Sequence, residues 1–379
     1  MSHLRRFITT AVIIAALGAV GVGQPSSDVN EIRIGYFGPA SATHPRAGDR
    51  WCAASLAVEE ANKTGGYRGT AFCLVTGWSE NPWGSGVAAV ARMAYEQKVW
   101  AIVGGIDGPS THLAEQVVAK ARLVLMSPVA SDKSVNMASV PWMFSCVPLD
   151  DAQAKVLAEA MAARVQGAPF VIVSAVDHDS HVFTVELLKA LKDLELAPAF
   201  HFQCDLLDPD SRGVLDRVVR VDPAALVLIA DAPGSAGALA RLREKGYDGV
   251  VFGGPWMGRR AFFETAGKAG EGVLFPYLCV GSTKRRAFED RFSERFSRHP
   301  DYLAAHTYDA VNLVVAAIRK GGLDRARIGE AVREIAPWLG VSGSISWNAT
   351  GANLRRPRLG TIVDGAVRVV AEPNRAGGH

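Results

Sequence analysis

Short apolar runs alternate along the chain with longer segments whose apolar positions recur every three or four residues. Strand-like runs fall at 32–36, 71–76, 100–104 and 123–126. Between them, 47–63 places Trp51, Ala54, Val58 and Ala61 at helical spacing. Segments 85–97 and 110–121 behave likewise, with Ser110 as an N-cap. The rhythm restarts after Pro148, with strands expected at 170–176, 199–203, 225–230 and 250–253. Helices are expected at 151–165, 182–194, 211–219, 235–245 and 259–266. Strands alternating with helices predict parallel sheets covered on both faces. The expected fold class is therefore α/β, with two similar Rossmann-like lobes.

The last third does not form a third unit. Segments 284–298 and 304–320 read as helices, and Tyr308, Val311, Val315 and Ile318 make one apolar stripe on the second. A shorter helix at 325–335 precedes strand-like runs at 342–347 and 361–370. The economical arrangement returns these helices to the first lobe and the final strands to the second. The chain then crosses between lobes near 144–147, 276–280 and 342–346, a three-strand hinge around one cleft. Lobe 1 is expected from 31–145 with 281–342, and lobe 2 from 146–280 with 343–370. Residues 371–379 are expected as a flexible tail.

The ends and the composition set the compartment. Arg5 and Arg6 precede an apolar run over 7–22 with small residues near its end. That is the pattern of a secretory signal, expected over 1–24. The mature protein is expected to be soluble outside the cytoplasm, in a periplasm-like space, as a monomer. Of 379 residues, 49% are hydrophobic and 21% charged, which excludes a disordered chain. The net charge of +3 falls to about +1 without Arg5 and Arg6, which argues against a nucleic-acid partner. Five cysteines suit an oxidising compartment. Cys52 with Cys73 is the leading candidate bridge and Cys146 with Cys279 the second, against buried free thiols.

Catalytic motifs are absent. Gly104-Gly105 lacks the lysine and spacing of a phosphate loop. The glycines at 84–86 lack the context of a nucleophile elbow. Asp177-His178-Asp179-Ser180-His181 gathers two imidazoles and two carboxylates, the best metal candidate. Its place directly after a strand reads instead as a loop touching solute, so no metal and no cofactor are expected. Open α/β sheets bind ligands beyond the carboxyl ends of their strands. Helix starts near Gly108 to Thr111, and the amides at Ala130 and Ser131, are placed to receive a carboxylate. Trp78, Trp83 and Trp256 are candidate apolar walls.

The order of several motifs resembles the type I periplasmic binding proteins, in particular the leucine/isoleucine/valine-binding branch. Gly35-Tyr36-Phe37-Gly38-Pro39, Gly48 and Ala57-Val58-Glu59-Glu60-Ala61-Asn62 resemble the opening of that family. Val103-Gly104-Gly105 with Ser110-Thr111, then Ser127-Pro128-Val129-Ala130-Ser131, resemble its first-lobe binding segments. Tyr308-Asp309-Ala310 resembles its late helix, and Gly343-Ser344-Ile345-Ser346-Trp347 its closing hinge strand. The resemblance implies a non-catalytic protein that captures an amino acid or related carboxylate and delivers it to an ABC-type permease. A ligand-sensing module of the same fold is the alternative.

Strand-end position and the resemblance together give the expected ligand contacts: Tyr36, Trp78, Asp107, Gly108, Ser110, Ala130, Ser131, Ser180, His181, Asp231 and Trp256. Ser131 matches the hydroxyl that holds a ligand carboxylate. Another expected hydroxyl falls near Gly108, with Ser110 as its substitute. Aromatic positions fall at Ser180 or His181 and at Asp231. The acid that receives an α-ammonium falls at Trp256. Either Asp231 or Asp107 has taken that role, or the solute is an aromatic or apolar carboxylate stacked on Trp256.

Overall fold

The computed structural model describes residues 31–208 and 211–371. The expected signal at 1–24, and all but the first residue of the expected tail, lie outside the described residues. Among the described residues, no helix is long and apolar enough to cross a membrane.

The first sheet holds β1 (Ile32–Phe37), β2 (Phe72–Gly77), β3 (Ala101–Gly104), β4 (Val124–Ser127) and β5 (Met143–Ser145). Its order is β2-β1-β3-β4-β5, parallel throughout. The connections carry α1 (Gly48–Lys63), α2 (Val87–Ala91), α3 (Gly108–Ala121) and α4 (Ser134–Met137). Helix α2 lies between two π-helical turns, Pro82–Gly86 and Arg92–Glu96, so the single helix expected over 85–97 is broken.

The next stretch runs α5 (Asp150–Val165), β6 (Phe170–Ser174), α6 (His178–Asp193), β7 (Phe200–Gln203) and α7 (Arg212–Val221). It continues through β8 (Ala225–Ile229), α8 (Ala232–Glu244), β9 (Val250–Gly253), α9 (Arg260–Ala266) and β10 (Leu274–Tyr277). The chain then forms α10 (Thr283–Phe296), α11 (Tyr302–Gly321), α12 (Arg325–Glu334), β11 (Trp338–Leu339) and β12 (Ser344–Ile345). It ends in β13 (Arg358–Val363) and β14 (Ala366–Val369). The second sheet has the order β14-β13-β10-β9-β8-β6-β7. Only its last two strands run antiparallel, as a hairpin added at one edge.

Both sheets are buried on two faces, as parallel sheets require. In the first, Ile32, Ile34, Val103 and Met126 pack against α1 and α11, while Phe37, Ile102 and Leu125 fill the opposite core. In the second, Val171, Val173 and Leu228 face one core and Phe170, Ile172 and Val227 the other. The stripe Tyr308, Val311, Val315 and Ile318 is buried against the first sheet.

Three segments join the two halves. Val280 N–H donates to Ser342 O at 3.1 Å, and Pro148 bridges to Asn353 in parallel. Arg355 donates to both Ser342 O and Leu278 O. The last passage lies later than the apolar pattern placed it. Ser344–Ile345 pairs antiparallel with β11, and Ile345 stays in the first core. The chain therefore crosses through 346–357.

The Cys52–Cys73 bridge is corrected. Cys52 lies in the core that receives Phe72 and Leu74. Successive strand side chains point to opposite faces. Cys73, between them, therefore faces away from Cys52. All five cysteines are free thiols, including Cys146 and Cys279. Burial pushes the Cys52, Cys146 and Cys279 thiols up, so these are inert packing residues.

Candidate functional site

The carboxyl ends of both sheets face one cleft. Its cavity volume is about 100 Å³, below the usual range for small-molecule pockets, so the space between the halves is narrow. Asp107, Ser131, Asp231 and Trp256 line it, so the cleft gathers four of the residues expected from sequence.

Each strand-end aspartate first serves its own helix. Asp107 Oδ1 accepts Ser110 N–H at 2.9 Å and caps α3. Asp177 accepts Ser180 N–H at 3.0 Å and caps α6. Asp231 accepts Gly234 N–H at 2.9 Å and caps α8. Such caps satisfy amides that a helix start leaves unpaired. They also aim three carboxylates into one cleft.

Several expected contacts are turned elsewhere. Ser110 is fully buried; its Oγ accepts Asp107 N–H at 3.2 Å in the capping box and also Ile106 N–H at 2.9 Å. Ala130 is buried, and its N–H donates to Ser127 Oγ at 3.1 Å, so it is closed to a solute carboxylate. Tyr36 is buried against Trp51, with ring centroids 5.2 Å apart. Trp78 packs on Phe37 and donates to Glu80 at 3.0 Å. Ser180 faces the inside of α6 at 1% exposure, and His181 is exposed to solvent. The side chain of Trp83 lies outside the described residues.

The expected loop cluster at 177–181 comes apart for the same reason. Successive residues at a helix start point in different directions, so its groups do not converge. Asp179 reaches the first lobe, where Gly108 N–H donates to it at 3.0 Å. Burial and then Asp107 push its carboxyl up to about 7, while the Gly108 N–H opposes. His178 meets Asp132 Oδ2 at 3.0 Å, and His112 meets the same oxygen at 3.2 Å. Asp132 and then Glu115 push His112 up to about 9. Burial alone raises Asp132, but bonds from His112, Ser134 and His178 outweigh it and hold the carboxyl well below its usual range.

Sequence reasoning missed the cationic side of the cleft. Arg46, Arg50 and Arg259 line it. Arg50 is 2% exposed. Its guanidinium donates to Ile106 O at 3.0 Å and Arg46 O at 2.7 Å. Its Nε has no hydrogen-bond partner among the described residues. Burial, and then Arg259, pull Arg50 down to about 10, so it stays cationic at neutral pH. The readable signal was phase: Arg50 falls in register with the buried positions Ala54, Ala57 and Ala61 of α1. Asp150 was also missed. It is buried beside Ser131, and burial pushes its carboxyl well above the usual range.

Trp256 has two contacts. One edge meets Phe183 at 5.7 Å, and the residue also lines the cleft. Ion pairs rim the opening between the halves. Arg259 pairs with Asp301, Arg260 with Asp49 at 3.1 Å, and Lys133 with Glu186.

Comparison with known proteins matches this architecture. A curated amino acid binding protein of Pseudomonas aeruginosa is 22% identical over 360 residues, covering 92% of this chain and 94% of the relative. The substrate binding protein LivJ of Streptococcus pneumoniae, a branched-chain amino acid transporter component solved with isoleucine, superposes with a TM-score of 0.81. It is 22% identical, over 90% of this chain and 99% of that one. A solute binding protein of an R. palustris ABC transporter, solved with benzoate, gives 0.78 at 15% identity, over 90% and 95% of the two chains. The family model described as periplasmic binding protein matches residues 31–365, and with that span the chain belongs to the periplasmic binding protein family.

Proposed function

We propose that the cleft captures a small solute carrying a carboxylate, leaves it chemically unaltered, and presents it to an ABC-type permease. Export, a monomeric state and a periplasmic location complete this reading. The observation that carries it is Arg50. A buried guanidinium with a free Nε–H, flanked by Arg46 and Arg259, is a prepared donor for the oxygens of a planar anion. The apolar part of the solute lies on Trp256. Asp231 is the acid placed to meet an ammonium, if the solute carries one.

The relatives supply both solute types: isoleucine in one neighbour and benzoate in another. The absence of an acid at Trp256 favours the aromatic carboxylate. Calorimetry with leucine, phenylalanine, benzoate and acetamide tests this. Benzoate or phenylalanine is expected to bind and acetamide not. Arg50→Met is expected to remove about 2 kcal/mol of affinity, the scale of a hydrogen bond to a charged group. Ser131→Ala is expected to remove about 1 kcal/mol. Tight leucine binding with benzoate inert overturns the aromatic preference. Unchanged affinity in Arg50→Met overturns the anion site.

A further inference from the structure

We propose that His112, Asp132 and His178 form a binding site for a divalent transition metal, Zn²⁺ foremost, which ties the two closed lobes together. The three ligand atoms lie within 4.8 Å of one another. Nε2 of His112 and Nε2 of His178 stand 3.2 and 3.0 Å from the same carboxylate oxygen, Asp132 Oδ2. Metal–ligand bonds of about 2.0–2.2 Å at tetrahedral angles put ligand atoms roughly 3.3 Å apart. Two of the three edges already have that length. Both rings turn Nε2 toward that shared oxygen, and they meet edge to face at 6.2 Å.

The surroundings match a built metal site. Metal-binding histidines present their other ring nitrogen to a carboxylate or carbonyl, which fixes the tautomer. His112 Nδ1 lies 3.5 Å from Glu115 Oε2, and Glu115 is buried at 5% exposure. Asp132 is held as firmly: its Oδ1 accepts Ser134 N–H at 2.8 Å and its Oδ2 accepts the Ser134 hydroxyl at 2.8 Å. The same hydroxyl lies 2.9 Å from His112 Nε2. Two imidazoles and one carboxylate suit Zn²⁺ and its transition-metal neighbours. Mg²⁺ and Ca²⁺ take six or more oxygens. Three protein ligands leave one position for water, as in open zinc sites.

The site spans the cleft. His112 stands on α3 and Asp132 on the loop after β4, both with the first sheet, whereas His178 begins α6 on the second. Only the closed arrangement brings all three together. A metal there binds the closed form in preference to the open one and shifts the population toward it. The proposal does not depend on which solute the cleft takes, and its test uses no solute.

The tag-free chain is stripped with EDTA and titrated with ZnCl₂ in a calorimeter, with MgCl₂ as control. One Zn²⁺ per chain is expected, with no Mg²⁺ uptake. His112→Gln and His178→Gln, one from each lobe, are each expected to abolish uptake. Glu115→Gln is expected to weaken it about 10–100-fold. Co²⁺ is expected to give a tetrahedral visible spectrum in the parent chain and none in either histidine variant. Absence of stoichiometric Zn²⁺ uptake overturns the site. Uptake that survives His178→Gln overturns the tie between lobes.

Discussion

The carboxylate of Asp179 on the second lobe accepts the backbone N–H of Gly108, at the start of α3 on the first, at 3.0 Å. A helix start of this kind attracts anions, and sequence reasoning assigned it to a solute carboxylate. The protein instead fills it with its own side chain. The contact closes one flank of the cleft, next to the oxygen shared by His112 and His178. Lobe closure is thus written into side chains from both halves, and the solute adds to contacts that already exist.

Gly108 allows this approach because it has no Cβ. A Cβ at that position would stand 2.5 Å from Asp179 Oδ1 and 3.2 Å from His178 Cδ2. The clash exists only when the lobes are shut. Gly108→Ala is therefore expected to weaken solute binding about tenfold, the equivalent of roughly 1.4 kcal/mol. The melting temperature of the solute-free protein is expected to stay within a few degrees, and small-angle scattering is expected to show a larger radius. Full affinity and an unchanged radius would refute a role for this contact in closure.

The cysteines give a second expectation. Cys52 and Cys73 lie on opposite faces of the first sheet, and no pair is bridged. Thiol labelling in denaturant without reductant is expected to count five free thiols. Reductant is expected to leave the melting temperature unchanged. A disulfide would typically contribute about 2–4 kcal/mol and disappear on reduction. A count of three thiols would show that a pair is bridged after all.

The parts legible in the sequence were those set by periodicity. Alternating strands and helices gave both sheets, and the stripe through Tyr308 and Ile318 identified α11. The illegible parts depend on register and on long-range placement. The strand-end aspartates were visible as polar loop residues, but their capping roles follow from helix starts fixed to within one residue. His178 left its sequence neighbours because α6 begins there and turns it toward Asp132. Arg50 was passed over because a charge on an amphipathic helix is buried only through the rotation of α1 against the first sheet. The third crossing slipped because two residues of β12 suffice to pair with β11, too few to leave a strand-length pattern.

His306 supplies a pH prediction. It is fully buried on α11. Its Nδ1–H donates to Tyr302 O at 2.7 Å, and its Nε2 accepts from Arg355 at 3.1 Å, which requires the neutral ring. Burial first, then the Arg355 charge, pull its pKa down to about 3 from an ordinary 6.5. Above pH 6.5 the ring is neutral in both folded and unfolded chains, so it adds no pH dependence. Below 6.5 the unfolded chain takes up a proton that the folded chain refuses. Stability is lost on acidification from about 6.5 toward about 3, at roughly 1.4 kcal/mol per pH unit. Buried carboxyls with raised values, such as Asp150 and Asp309, act in the opposite sense, so the difference between variants is the clean readout. His306→Gln is expected to be less stable at pH 7. Between pH 7 and pH 5 it is expected to lose about 2 kcal/mol less than the parent. The measurement is urea unfolding of both proteins at a series of pH values. Parallel curves would mean that the ring is protonated in the fold and that Arg355 does not face it.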